Sequence, residues 1–248
     1  MQYLLSRSCR AILKRLAQEQ TLCAFDFDGT LSPITDHPDQ AGMRVRTRAL
    51  LARLAAVYPC VIISGRARAD VLDKLCGVKV ASVIGNHGAE TKTTRKSHRW
   101  VEKWKTVLER EVGAIPGLWI EDKALSLAVH YRQSTHKAQV RQRILAATRN
   151  LKHVRVVGGK QVVNLVVEQA LDKGDALAAE RDRLACNWVL YVGDDENDED
   201  AFALSGNIIS VRIGRKQRSH ARYYLGTQVQ IDELIALLVM LREPVRRQ

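Results

Sequence analysis

Apolar residues fall along this chain in short unbroken runs rather than in one long stripe. The runs at 22–27, 60–64, 80–84, 188–192 and 207–211 are rich in β-branched, aromatic or small apolar residues. Runs of this length predict strands buried on both faces, as in parallel sheets. Around them apolar positions recur at helical spacing over 3–18, 45–57, 68–75, 174–185, 199–204 and 231–241. Strands alternating with amphipathic helices predict an α/β fold with a doubly wound parallel sheet.

The rhythm changes between 89 and 169. A helix is expected at 101–112, a strand at 125–131 and a second helix at 135–150. The runs 154–157 and 161–167 flank Gly158-Gly159 and predict a hairpin around the two glycines. This segment is read as an α+β domain inserted into the α/β core, which comprises 1–88 and 170–248.

With 248 residues, 46% hydrophobic and 27% charged, the composition is that of a globular protein and excludes disordered and collagen-like classes. The formal charge is +12, and residues 89–168 hold 16 Lys and Arg against 7 Asp and Glu. A positive field suits an anionic ligand. A nucleic-acid-binding protein is the distant alternative. It is disfavoured because the basic segment has few aromatics for stacking and no helix-turn-helix, RNA-recognition or zinc-finger signature. Five cysteines, an odd number without a Cys-x-x-Cys pair, argue against a disulfide framework. The longest apolar run, 234–241, is far below the ~20 residues that span a bilayer. Residues 1–10 place arginines after leucines, the reverse of a secretory signal. The expectation is a soluble cytoplasmic protein with no membrane contact.

Four segments carry chemistry. Asp26 and Asp28 follow the first apolar run at i, i+2, on one side of an extended chain, and Gly29 permits a tight turn. Asp194 and Asp195 follow the fourth run and open a stretch in which six of seven positions, 194–200, are acidic. Crowded carboxylates repel one another unless a hard divalent cation joins them, and oxygen ligands select Mg²⁺ or Ca²⁺. Ser64-Gly65-Arg66 ends a strand with a hydroxyl at a helix start, a place for a phosphate oxygen. Lys173 opens a helix, where its charge opposes the dipole and calls for an anion nearby.

Together and in this order, the four segments resemble the haloacid-dehalogenase-like phosphatases. The resemblance implies that Asp26 is the nucleophile. It makes Asp28 the general acid and base, with its backbone carbonyl on Mg²⁺. Ser64 and Lys173 would hold the phosphoryl oxygens, and the implied Mg²⁺ site is Asp26, Asp28, Asp194 and Asp195. Gly85-Asn86-His87-Gly88-Ala89-Glu90, Glu121-Asp122-Lys123, His130-Tyr131-Arg132 and Val166-Val167-Glu168 are similar to the trehalose-6-phosphate phosphatases within that group. This second resemblance implies that the insert is a cap and the substrate trehalose 6-phosphate. Thr30, Gly65, Arg66, Asn86, His87, Glu121, Lys123, His130, Arg132 and Glu168 would contact that substrate, which a separate synthase would supply. Two stretches depart from the pattern: Gln169-Ala170-Leu171-Asp172 stands where Arg-Pro is frequent, and Asn197 where Thr is usual. A phosphatase of another sugar phosphate, such as a glycosyl-glycerate phosphate, is the nearer alternative.

Overall fold

The computed structural model describes residues 1–92 and 95–243. The first part of the chain runs β1 (Gln2–Tyr3), α1 (Arg10–Gln18), β2 (Thr21–Phe25), α2 (Val45–Val57), β3 (Cys60–Ile63), α3 (Arg68–Lys74) and β4 (Ser82–Ile84). The middle runs α4 (Arg95–Val112), β5 (Trp119–Asp122), β6 (Ser126–His130), α5 (Lys137–Thr148), β7 (Val154–Gly159) and β8 (Val162–Val167). The last part runs α6 (Lys173–Arg183), β9 (Trp188–Gly193), α7 (Glu199–Phe202), β10 (Ile208–Ile213), β11 (Tyr223–Leu225) and α8 (Ile231–Arg242).

Seven strands form one sheet in the order β1-β11-β10-β9-β2-β3-β4, every neighbouring pair parallel. Alternation along β2 shows why its sequence is apolar throughout. Cys23 and Phe25 point into a layer built with Leu13 and Leu16 of α1, Leu51 and Leu54 of α2, and Leu234, Ile235 and Leu238 of α8. Leu22 and Ala24 point the other way, against Ala176 and Leu177 of α6 and Ala201 and Phe202 of α7. A strand covered on both faces has no polar face to show. The expected doubly wound α/β architecture is therefore present.

A second, antiparallel sheet takes the order β5-β6-β8-β7. One face packs on α4 and α5: Leu127, Val129, Val163 and Leu165 bury against Trp104, Leu108, Val140 and Ile144. These residues form a hydrophobic cluster of their own. The alternate positions of the same strands face the large sheet.

Local pattern and structure part in several places. The helix expected over 3–18 begins only at Arg10, because Gln2 and Leu4 donate to the carbonyls of Arg222 and Tyr224 and draw the start into the sheet. Tertiary pairing there overrides local periodicity. Strands β5 and β11, with four and three residues, were not expected. The hairpin does not turn at Gly158-Gly159: both glycines lie inside β7, opposite Val163 and Val162, and the chain reverses at Lys160-Gln161. A Cβ on Gly158 would stand 2.8 Å from Glu196 Oε2, so the glycine lets the strand press against the acidic loop. All five cysteines are free, and among the described residues no helix is long and apolar enough to cross a membrane.

Leu165 is fully buried in the smaller cluster. Leu165→Ala should lower unfolding free energy by about 2–5 kcal/mol, measured by chemical denaturation. A loss under half a kilocalorie would mean that the cluster does not contribute to global stability.

Candidate active site

The carboxyl ends of β2, β3 and β9 lie side by side, and open α/β sheets place ligands at this edge. Asp26 directly follows β2, Ser64 follows β3 and Asp194 follows β9. The Asp26 N–H donates to the carbonyl of Val192 and continues the strand pairing up to the carboxylate itself. At Gly29 the chain turns with φ +80°, and a Cβ there would fall 2.1 Å from Asp194 Oδ2. The glycine is thus required both by the turn and by the approach of the two acidic loops.

Lys173, 1% exposed, stands behind Asp26. Its ammonium donates to Asp26 Oδ1 at 2.8 Å and to Asp198 Oδ1 at 2.7 Å. Asp198 is wholly buried and its four acceptor positions are filled. Oδ1 also takes the hydroxyl of Tyr191, and Oδ2 takes the N–H groups of Asp194 and Asp195. Burial works against an ionised Asp198, but Lys173, the Asp195 N–H and the Tyr191 hydroxyl hold it below the usual carboxylate range. Burial likewise opposes the Lys173 charge, and the two carboxylates outweigh it and push the ammonium's pKa up. Asp26 is raised well above the carboxylate range, chiefly by burial, against the pull of Lys173. Burial and then the charge of Asp198 push Asp194 up to about 7.

Oxygens of Asp26, Asp194 and Asp198 all lie within 4.8 Å of one another. Three carboxylates around one buried ammonium leave net negative charge, and an all-oxygen donor set fits a hard divalent cation. Because Asp198 is already saturated, it acts as the anchor of the loop, and Asp26 and Asp194 would offer a cation the oxygens that Lys173 and Lys160 do not hold. The carboxylates of Asp28 and Asp195 are engaged by other groups, which leaves the Asp28 backbone carbonyl as the part of that residue expected at the metal. The Asp28 carboxylate is held by the Arg66 fork, Nε at 2.6 Å and Nη2 at 2.8 Å. The Asp195 carboxylate accepts the N–H groups of Glu196 and Lys160.

The smaller sheet closes over this edge. Lys160, at the tip of the β7–β8 hairpin, pairs with Asp194. Lys123 Nζ donates to the carbonyl of Gly65 at 2.9 Å, and Arg132 to the carbonyl of Thr35. Ser126 Oγ donates to Asn86 Oδ1 at 2.6 Å. The cleft between the sheets is lined by Asp26, Asp28, Gly65, Arg66, His87, Glu121, Lys123, His130, Arg132, Asp194 and Asp195, all named from the sequence. Glu121 bridges its neighbours: its Oε2 lies 2.9 Å from His130 Nε2 and 3.5 Å from Lys123 Nζ. His87 is buried across the face of Gly65, and burial, Lys173 and Lys123 push it well below the histidine range, so it is neutral.

Five expected residues do not line the cleft. Lys173 and Ser64 are buried beneath it, the Ser64 hydroxyl accepting the Arg66 N–H at 3.2 Å. Asn86 ties the two sheets together through Ser126 and Glu90. The Thr30 hydroxyl is buried without a hydrogen-bond partner. Glu168 is exposed past the end of β8. Sequence reasoning passed over Asp198, Lys160, Asn164 and Arg212. Asn164 lines the cleft, and Arg212 grips the carbonyls of Asp194 and Asp195 at 2.8 and 3.0 Å. The acidic run held a signal for Asp198, since it lies four residues after Asp194 at a helix start. The hairpin lysine had none, because its role depends on docking of the two sheets.

A parallel sheet wound on both faces, with an aspartate pair after an interior strand and an inserted α+β unit above, defines the haloacid-dehalogenase-like fold. A hydrolase of that kind from Bacteroides thetaiotaomicron superposes with a TM-score of 0.61 at 15% identity, over 88% of this chain and 98% of the other. The C-terminal domain of the C. albicans trehalose-6-phosphate phosphatase superposes with a TM-score of 0.81 at 22% identity, over 93% and 96%. In sequence, residues 24–225 match the trehalose-phosphatase family model, and the chain belongs to that family. The trehalose-phosphate phosphatase of Mycolicibacterium paratuberculosis is 37% identical over 204 residues, 75% of this chain and 52% of that protein. The enzyme of the same name from Mycobacterium tuberculosis is 31% identical over 207 residues, 77% and 53%. The chain thus spans about half the length of the curated relatives it matches.

Lys173→Met would leave Asp26 and Asp198 as uncompensated buried charges, and should cost about 3–5 kcal/mol in a denaturation experiment. Neutral behaviour would contradict the reading of Lys173 as the centre of the site. A pH dependence follows from Asp194, whose folded value is raised from the ordinary 3.8 to about 7, so the window runs between those two values. A raised folded value means stability that is present below the unfolded value and lost as pH climbs to the folded one. With chelator present, melting temperature should decline across that window less steeply in Asp194→Asn than in the wild type. Equal slopes would contradict the shift.

Proposed function

We propose that this chain hydrolyses trehalose 6-phosphate to trehalose and inorganic phosphate through an aspartyl-phosphate on Asp26. The observation that carries the reading is the Asp26–Lys173–Asp198 arrangement at the end of β2, beneath a cleft lined by cations, in a chain of the trehalose-phosphatase family. Residues 89–169 act as the cap, and 1–88 with 170–248 as the catalytic core. The reading places the protein in the cytoplasm, with a separate synthase supplying the phosphorylated disaccharide.

Lys173 holds one oxygen of Asp26 and so aims the other at the cleft. That oxygen attacks phosphorus as the bond from phosphorus to the sugar oxygen breaks, and Asp28 gives the leaving oxygen a proton. In the second step water returns a proton to Asp28, and its oxygen displaces Asp26 and frees phosphate. Splitting one displacement into two lowers the barrier of each. The Arg66 fork occupies both oxygens of Asp28, so donation to the leaving oxygen in the first step requires this fork to open. Ser64 and Lys173 flank the phosphoryl position from below. Mg²⁺, when bound by Asp26, Asp194 and the Asp28 carbonyl, screens the attacking carboxylate from the phosphate dianion. Arg212 keeps the loop bearing Asp194 in place. Above the phosphate, Glu121, Lys123, His130 and Arg132 offer mixed donors and acceptors to sugar hydroxyls. Contacts from the closed cap exclude bulk water from the intermediate.

The test is phosphate release from a panel of sugar phosphates, with Mg²⁺ and with EDTA, alongside Asp26→Asn. Selective Mg²⁺-dependent release from trehalose 6-phosphate is expected, and its loss by at least a thousandfold in the variant. Release from a different sugar phosphate would keep the chemistry and overturn the substrate, whereas wild-type turnover in Asp26→Asn would overturn the nucleophile.

A further inference from the structure

The face that the smaller sheet turns to the cleft is set by strand alternation and register. It carries Trp119 and Glu121 of β5, Ser126, Ala128 and His130 of β6, and Val162 and Asn164 of β8. Trp119 stands opposite His130, and Glu121 opposite Ala128. Ala128 lies between Glu121 and Asn164 in the register, so these two polar side chains flank a small residue on the cleft face.

Trp119 is the largest apolar side chain on this face. It lines the cleft and is 39% exposed. Across the cleft the core loop presents Ile34, 44% exposed and also in the lining. Both side chains stand in the wall of a cleft lined by converging polar groups, the mixture that ligand pockets present. The indole is also held in orientation. Its ring stacks on His130 with centroids 4.0 Å apart and planes within 7°. His130 is fixed by Glu121, Glu121 pairs with Lys123, and Lys123 bonds to the Gly65 carbonyl of the core. A chain of contacts thus runs from the catalytic edge to the plane of the indole. Strand β5 is the edge opposite β7, whose hairpin with β8 meets Asp194, so Trp119 stands at the far edge of the sheet from that contact.

A pyranose ring has one face of C–H groups and a rim of hydroxyls. A rigid aromatic plane supplies the partner for the first, at small cost in conformational entropy. Carboxylate, imidazole and guanidinium groups beside it supply the partners for the second. We propose that Trp119 is the stacking platform for the glucosyl ring that does not carry the phosphate. It makes the disaccharide, rather than the phosphate alone, the preferred substrate. The proposal rests on the trehalose 6-phosphate reading above.

The experiment compares Trp119→Ala and Trp119→Phe with the wild type on trehalose 6-phosphate and p-nitrophenyl phosphate, and follows trehalose binding by calorimetry. Trp119→Ala should raise KM for trehalose 6-phosphate about tenfold, the equivalent of about 1.4 kcal/mol of stacking, with a much smaller change in kcat. Its loss on p-nitrophenyl phosphate should be several times smaller, trehalose affinity should fall in parallel, and Trp119→Phe should recover most of both. An unchanged KM, or equal losses on the two substrates, would overturn the platform while leaving the reaction intact. A wild-type protein that hydrolyses p-nitrophenyl phosphate but no disaccharide phosphate would overturn the substrate reading, and the platform with it.

Discussion

One ammonium group organises the catalytic edge. Lys173 is almost completely withdrawn from water, and only the carboxylates of Asp26 and Asp198 make that burial tolerable. A buried ion pair adds little to stability over a well-packed apolar substitute, but it is severe on any arrangement that separates its members. Here it joins the end of β2, the start of α6 and the loop after β9, which the sequence keeps far apart. Asp198 extends the constraint, since its second oxygen holds the backbone of Asp194 and Asp195 and so shapes the loop. The position of the nucleophile and that of the cation-binding carboxylate are thus fixed by one network.

The smaller sheet shows the same economy in another form. Because side chains alternate along a strand, each of its strands contributes to two structures at once. Leu127, Val129, Val163 and Leu165 build a private core with α4 and α5, while Glu121, His130 and Asn164 look down on the catalytic edge. Register between strands then decides which polar groups are neighbours. A shift by one residue in β5 would replace Trp119 and Glu121 by Ile120 and Asp122 and lose the cleft face altogether.

Where burial is complete the sequence was easiest to read. The apolar runs of β2, β3 and β9 have one physical explanation, and the aspartates that end two of them stand out against it. Gly29 was legible as the residue that lets the chain turn after the aspartate pair, whereas the close approaches of Asp194 to Gly29 and of His87 to Gly65 depend on the folded loops. The short strands β1, β5 and β11 were not, because two to four residues carry no period and owe their form to a neighbour already in place. Lys160 and Asn164 escaped because their significance lies in how two sheets meet. Glu168 is the opposite case: a motif-like acidic residue stands out in the sequence after β8, yet it is exposed and outside the cleft lining, whereas Asn164, four residues earlier, lines it.

The strand order has a consequence for how the molecule is made. β2 lies inside the large sheet between β3 and β9, and β9 is synthesised only after the whole inserted unit. Until it arrives, the β2–β3–β4 half presents an open edge of apolar backbone, a template for pairing with any other strand. The inserted unit has a separate core drawn from nearby residues and closes early, whereas the catalytic sheet depends on distant partners and closes late. The insertion point thus sets a waiting time during synthesis. Anything that slows folding of the insert lengthens the exposure of the strand that bears the nucleophile.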